Sequence, residues 1–451
     1  MSRRSYPKYK PSGVEWLGEV PEHWEVKKLK HISSIKFSNV DKHTVEGERP
    51  VRLCNYVDVY HNDFITLDLN FMEATAPPAQ ISKFALRGGD VIITKDSEAW
   101  DDIAVPAYVS SDMHDVLCGY HLAQIRPNPK WADGKYLFRA FCSRGINDQF
   151  RVAATGITRY GLGKYWLDNG LFLVPPVEEQ SAIAAFLDRE TGRIDALMEK
   201  KQQQIELLQE KRTALISHAV TKGLDPTVPL KDSGIEWMSQ IPTHWEVGKL
   251  KHITSSIQTG PFGGQLHAGE YVEDGIPAIN PSNLQNGRIV PDWRCCVDEE
   301  IFARLNRHRL DEGDIVFARR GEMGRCALVT REEDGWLCGT GSIRIRLNKE
   351  DAYPPFVYQV LSTPGVRDWL FLESVGSTMD NLNTEIMSQI PILLPPLDEQ
   401  IYVVGKIEKH LQQIDNLKTK IQESLDRLKE YRTALISAAV TGQIDVREGV
   451  A

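Results

Sequence analysis

The chain has 451 residues, with 53 Lys plus Arg against 62 Asp plus Glu, so its formal charge is -9. That balance excludes a histone-like, globally basic DNA binder, and 41% hydrophobic with 25% charged residues excludes general disorder. At about 150 residues per domain the length suggests roughly three units.

The start, Met1-Ser-Arg-Arg-Ser-Tyr-Pro, has no apolar run behind its basic residues and does not read as a secretory signal. Stretches such as Gly170-Leu-Phe-Leu-Val-Pro-Pro176 are too short to cross a bilayer. The 7 cysteines are odd in number and form no CxxC pair, so reduced thiols in a cytoplasmic setting are expected.

The chain is an internal duplication at an offset of about 220 residues. Ser12-Gly-Val-Glu-Trp-Leu-Gly-Glu-Val-Pro-Glu-His-Trp-Glu-Val26 returns as Ser233-Gly-Ile-Glu-Trp-Met-Ser-Gln-Ile-Pro-Thr-His-Trp-Glu-Val247. Pro175-Pro-Val-Glu-Glu-Gln180 returns as Pro395-Pro-Leu-Asp-Glu-Gln400, and Arg212-Thr-Ala-Leu-Ile-Ser217 returns unchanged at 432–437. Between these anchors little matches beyond Gly89-Asp-Val-Ile-Ile93 with Gly313-Asp-Ile-Val-Phe317, and Leu117-Cys-Gly119 with Leu337-Cys-Gly339. One part of each copy was held alike while another drifted. A shared scaffold with two different recognition surfaces explains this; loop-rich middles that are merely free to vary are the rival.

In chain order, the first expected element group is a mixed, β-rich globular domain over 1–176. It holds a strand at Asp90-Val-Ile-Ile-Thr94 and one helix near Gly134 to Phe150. A long helix over 177–222 follows, with Ile183, Leu187, Ile194, Leu197, Met198, Ile205, Leu208 and Leu215 as its apolar stripe and Lys201 interrupting. Residues 223–395 form a second β-rich domain, with strands at Ile315–Phe317 and Ile343–Arg346 and one helix near Pro355 to Phe371. A second long helix lies within 396–451, with Ile407, Ile414, Ile421, Leu428 and Leu435 every seven residues and Leu411, Leu417 and Leu425 as the other seam. A sustained heptad keeps one face on a partner helix. The simplest pairing is of the two helices with each other, antiparallel; pairing with another chain is the rival. The expected fold class is therefore α+β: two mixed globular domains joined by two long antiparallel coiled-coil helices, with internal pseudo-two-fold symmetry.

Catalytic signatures are decoys. Tyr353-Pro-Pro-Phe356 resembles an adenine-methyltransferase loop, but a tyrosine replaces the asparagine that would take the target amino group. Gly260-Pro-Phe-Gly-Gly264 lacks the Lys-Ser/Thr of a phosphate loop. His23 and His244 sit in matched Pro-x-His-Trp turns and read as structural. Positive charge clusters at Arg304, Arg307, His308, Arg309, Arg319-Arg320 and Arg325, and Arg151, Arg159 and Lys164 surround Thr155-Gly-Ile-Thr158. Arginine suits guanine edges and phosphates; arginines paired with nearby acids such as Glu299 and Asp311 are the bland alternative. By segment the charge is +1 for 1–176, -1 for 177–222, -8 for 223–395 and -1 for 396–451.

Taken together, these residues resemble the specificity subunit of type I restriction–modification systems over the whole chain. The two Glu-Trp…His-Trp segments look like that family's domain starts. Leu394-Pro-Pro-Leu-Asp-Glu-Gln400 with Arg-Thr-Ala-Leu-Ile-Ser looks like its repeat helix, and Gly156-Ile-Thr158 and Gly376-Ser-Thr378 look like its late recognition loops. The resemblance implies target-recognition domains at 1–176 and 223–395 and repeat helices at 177–222 and 396–451. It implies a non-catalytic subunit that binds double-stranded DNA, docks two modification (methyltransferase) subunits and recruits the restriction (motor–endonuclease) subunit. S-adenosylmethionine, ATP and magnesium would belong to those partners, with no cofactor or metal in this chain. A coiled-coil scaffold that binds only proteins is the alternative. Candidate DNA contacts are Lys95, Ser97, Arg151, Thr158, Arg159 and Tyr160 in the first domain, and Gln258, Arg319, Arg320, Arg325, Ser377, Thr378, Asn381 and Asn383 in the second. Candidate partner contacts are the repeated Arg212, Leu215 and Ile216, and Arg432, Leu435 and Ile436.

Overall fold

The computed structural model describes residues 5–321, 324–374 and 382–447. The chain divides into two compact units, one of residues 1–202 with 422–451 and one of residues 203–421.

In the first unit the core sheet runs in the order Ser33–Phe37, Leu122–Pro127, Val91–Thr94, Pro106–Val109, Phe64–Ile65. The expected strand near residue 90 is its centre, buried at all four positions because both faces are covered. A four-stranded sheet, with Arg49–Cys54 beside Met113–Cys118, makes a second layer with its own core around Leu53, Phe84 and Leu117. The expected single helix near 134–150 is two helices, Gly134–Cys142 and Arg144–Val152. Ser143 between them takes an extended backbone and starts the second helix. Strand β1 (Glu25–Lys28) pairs antiparallel with β2 (Leu171–Val174). The short helix α1 (Lys164–Asn169) precedes β2, and the long helix α2 (Val177–Lys222) follows it.

The second unit repeats this plan. Thr254–Thr259, Ser342–Leu347, Ile315–Ala318 and Cys326–Leu328 form its main sheet. Strand β3 (Glu246–Lys249) pairs with β4 (Pro391–Leu394) after the short helix α3 (Thr384–Gln389), and the long helix α4 (Leu397–Val440) follows. The helix expected near 355–371 is also split, into Pro354–Leu361 and Pro364–Ser374. Proline disfavours a helical residue before it and suits a helix start, so Thr363-Pro364 makes the break.

Within the first unit, Leu187 and Ile194 of α2 are buried in one core with Leu435, Ile436, Ala439 and Val440 of α4. Within the second, Ile216, Ala219 and Val220 of α2 share a core with Val403, Ile407 and Leu411 of α4. There Lys418 Nζ donates to Gln209 Oε1 at 2.8 Å and Arg212 lies 3.9 Å from Asp415, so rising numbers on one helix meet falling numbers on the other. Two seam assignments change. Leu417 is 50% exposed and Leu197 44%. The heptad step from Leu411 lands on Lys418, so Leu417 is turned about 100° off the seam; Leu197, beside the stripe position Met198, faces solvent in the same way.

Candidate nucleic-acid interface

The Pro-x-His-Trp turns anchor both domain starts to a long helix. Trp24 is buried, and its Nε1 donates to Glu179 in the first turn of α2 at 3.0 Å. His23 Nε2 and Tyr6 OH reach the same carboxylate, each at 2.7 Å. In the second copy His244 Nε2 meets Glu399 at 2.8 Å, and Trp245 is buried with no partner for its Nε1 among the described residues.

In the first unit five of the six proposed contacts converge. Asp96-Ser97 pairs antiparallel with Tyr160-Gly161, which brings Lys95, Ser97, Arg159 and Tyr160 together at one small two-stranded sheet. Backbone bonds between Thr155 and Gly161, at 3.1 and 2.9 Å, close the loop that carries Thr158. Gly156 has φ +149, and a Cβ there would lie 1.9 Å from the Arg159 carbonyl oxygen, so only glycine fits this closure. Lys95 Nζ donates to Asp96, Arg159 Nη2 lies 3.0 Å from His121 Nε2, and His121 Nδ1 lies 3.2 Å from Asp96. Burial, against the pull of Asp96, lowers the His121 pKa. Ser97 is buried, with its Oγ 3.1 Å from the Tyr56 hydroxyl. Asp96, His121 and Tyr56 were missed in the sequence; His121 stands two residues past the repeated Leu-Cys-Gly anchor, the one signal that marked it. Arg151 lies instead on helix Arg144–Val152, where its Nη1 meets Asp148 at 3.4 Å.

In the second unit fewer candidates come together. Arg319 Nε donates to the Leu382 carbonyl at 3.0 Å, which ties its strand end to the segment before α3. Arg320 is exposed and Arg325 half-buried. Gln258 Oε1 accepts from the buried Arg344 at 3.1 Å, and Asn383 caps α3 by accepting from the Ile386 N–H at 2.8 Å. Both side chains already have a structural bond. Ser377, Thr378 and Asn381 lie outside the described residues. Part of the arginine cluster is paired with acids: Arg304 with Glu270 at 2.6 Å, Arg309 with Asp311 at 3.3 Å. Burial, then Arg307, lowers His308 to about 4, so it is a neutral core histidine rather than part of a basic patch.

The proposed partner contacts need correction. Ile216, Leu435 and Ile436 are buried in their own units at 5%, 3% and 1% exposure. They recur because they pack against the same kind of core, and they offer no surface. Leu215 is half-buried; Arg212 faces Asp415, and Arg432 is bound by Asp195 at 2.9 Å and Asp63 at 2.8 Å. Among the described residues no cluster of three His, Cys, Asp or Glu could hold a metal, and no helix is long and apolar enough to cross a membrane.

The model of the type I restriction modification DNA specificity domain matches twice, over residues 21–207 and 242–427. The chain belongs to this family. It is 24% identical over 304 residues to the type I restriction enzyme EcoBI specificity subunit of Escherichia coli, covering 66% of this chain and 64%, just under two thirds, of that relative. It is 23% identical over 438 residues to the MjaVIII specificity subunit of Methanocaldococcus jannaschii, covering 95% of this chain and 94% of the relative. The fold is shared with the HsdS subunit from Thermoanaerobacter tengcongensis (TM-score 0.52, 18% identity, 94% of this chain and 98% of that one). It is also shared with a chain from a structural study of type I system assembly and conformational transition (TM-score 0.66, 18% identity, 93% and 98%).

Proposed function

We propose that this chain is the non-catalytic subunit that gives a type I restriction–modification complex its DNA sequence specificity, and that its target is bipartite and asymmetric. One observation carries this: the family match occurs once per copy, while the loops differ between copies. Two like scaffolds bearing unlike loops read two unlike half-sites. In the first domain the loop edge of Thr158, Arg159 and Tyr160 faces the bases, with Arg151 as a flanking contact; Ser97, buried against Tyr56, and Lys95, paired with Asp96, support that edge from behind. In the second, Arg319, Arg320 and Arg325 do; Ser377, Thr378 and Asn381 remain proposed contacts from the sequence alone. The long helices act as an antiparallel coiled coil that sets the distance between half-sites; the opposed numbering at Gln209–Lys418 and Arg212–Asp415 supports that pairing. Two modification subunits dock on the duplicated scaffold, the restriction subunit joins through them, and S-adenosylmethionine, ATP and magnesium are used by those partners.

The test is a domain exchange. Residues 223–395 are replaced by the matching domain of a relative, the complex is assembled with its modification subunits, and methylated adenines are mapped. One half-site should change and the other stay. A change in both would sink the modular reading.

A further inference from the structure

Both units carry one tetrapeptide, Lys28-Leu-Lys-His31 and Lys249-Leu-Lys-His252, at the end of β1 and of β3. Leu29 and Leu250 are fully buried. Their N–H groups donate to the carbonyls of Gly170 and Ile390, each at 2.8 Å. That anchor leaves Lys28, Lys30, Lys249 and Lys251 exposed. Lys28 and Lys30 donate from Nζ to Asn169 Oδ1 at 3.2 and 3.0 Å, and Lys249 donates to Gln389 Oε1 at 2.7 Å. Asn169 ends α1 and Gln389 ends α3, the helices that follow the two candidate reading loops.

The acceptor is a neutral amide for each of these three lysines, while Lys251 is exposed with no side-chain bond among the described residues. Among the described residues no carboxylate pairs with any of the four lysines, whereas Lys95, Lys135 and Lys164 are each held by an aspartate. An ammonium bonded to an amide oxygen is oriented but keeps its full charge. The loops, which differ between copies, are suited to what differs between half-sites. The lysines, which do not differ, are suited to what every half-site shares, the phosphate backbone.

We propose that Lys28 and Lys30, and Lys249 and Lys251, are sequence-independent clamps on the phosphodiester oxygens of duplex DNA, with Lys28 and Lys30 oriented by Asn169 and Lys249 by Gln389. This rests on the DNA-specificity reading above. An acidic face on a protein partner is the competing occupant.

The test uses the full chain assembled with its modification subunits, carrying Lys28→Gln with Lys30→Gln, or Lys249→Gln with Lys251→Gln. Binding to the target duplex and to an unrelated duplex is measured from 50 to 200 mM salt. Each phosphate contact adds about 0.9 to the slope of log affinity against log salt, so each double variant should flatten it by about 1.8 and shrink the salt-driven loss about tenfold. Both duplexes should weaken alike, the methylated sequence should stay the same, and the two variants should behave equally. Unchanged slopes in an intact complex overturn the proposal, as does loss of assembly with the modification subunits. If the unsubstituted complex does not prefer its target, the functional reading itself fails, whatever the lysines do.

Discussion

Glu179 accepts three side-chain bonds, from Tyr6, His23 and Trp24, while its counterpart Glu399 accepts one, from His244. Burial, then the bond to Glu179, holds the Tyr6 phenol protonated, its pKa pushed above the ordinary tyrosine range. Removing a buried acceptor strands its donors, at about 1–3 kcal/mol per group. An exposed ion pair contributes at most about 1 kcal/mol. Glu179→Ala should therefore lose about 3 kcal/mol and Glu399→Ala about 1 kcal/mol or less in urea unfolding of the full chain. Equal losses would show that the difference in bonding carries no energy. The sequence presents the two turns as equivalents, down to the shared His-Trp. Their inequality was not legible, because it comes from Tyr6, which the second copy replaces with Thr227, and from a tryptophan N–H that is bonded in one copy and has no partner among the described residues in the other.

At the scale of elements, periodicity was readable wherever burial is one-sided. The seven-residue spacing of Ile407, Ile414 and Leu435 marks residues that are all buried. Leu417 and Leu197 misled because hydrophobic type is weaker information than phase. The two split helices were missed because a break of one or two residues, extended Ser143 or Ser362-Thr363 before Pro364, ends a helix without disturbing its apolar pattern. The phase also yields a prediction about spacing. Deleting Lys418–Ser424 alone removes about 10 Å from one helix and breaks its register with the other, so methylation should be lost. Deleting Gln203–Gln209 as well shortens both helices alike. That double deletion should restore methylation on a target whose half-sites lie about three base pairs closer, at about 3.4 Å per base pair. Methylation by the double deletion at the original spacing would show that the helices do not measure distance.

For the whole molecule, the duplication and the family resemblance were legible because scaffold residues repeat in order. Which loop residues meet was not, since the pairing of Asp96-Ser97 with Tyr160-Gly161 is a long-range contact that local pattern cannot show. Charge acts at this scale too. The net -9 lies almost wholly in residues 223–395, at -8, and several of that domain's arginines are already bound to acids. Duplex DNA is repelled by that field and attracted only at local clamps and loops, and repulsion between exposed charges reaches about 8 Å at physiological salt. The isolated chain should therefore bind its target no more tightly than non-specific binders do, with Kd about 10⁻⁴–10⁻⁶ M at 150 mM salt. Adding modification subunits should tighten binding by several orders of magnitude and steepen the salt slope, as expected if those subunits supply much of the electrostatic grip. Titrating labelled target duplex with the chain alone, then with the assembled complex, across a salt series separates the two contributions. Nanomolar binding by the chain alone, with the slope of the complex, would place the whole electrostatic grip in this subunit and contradict the charge argument.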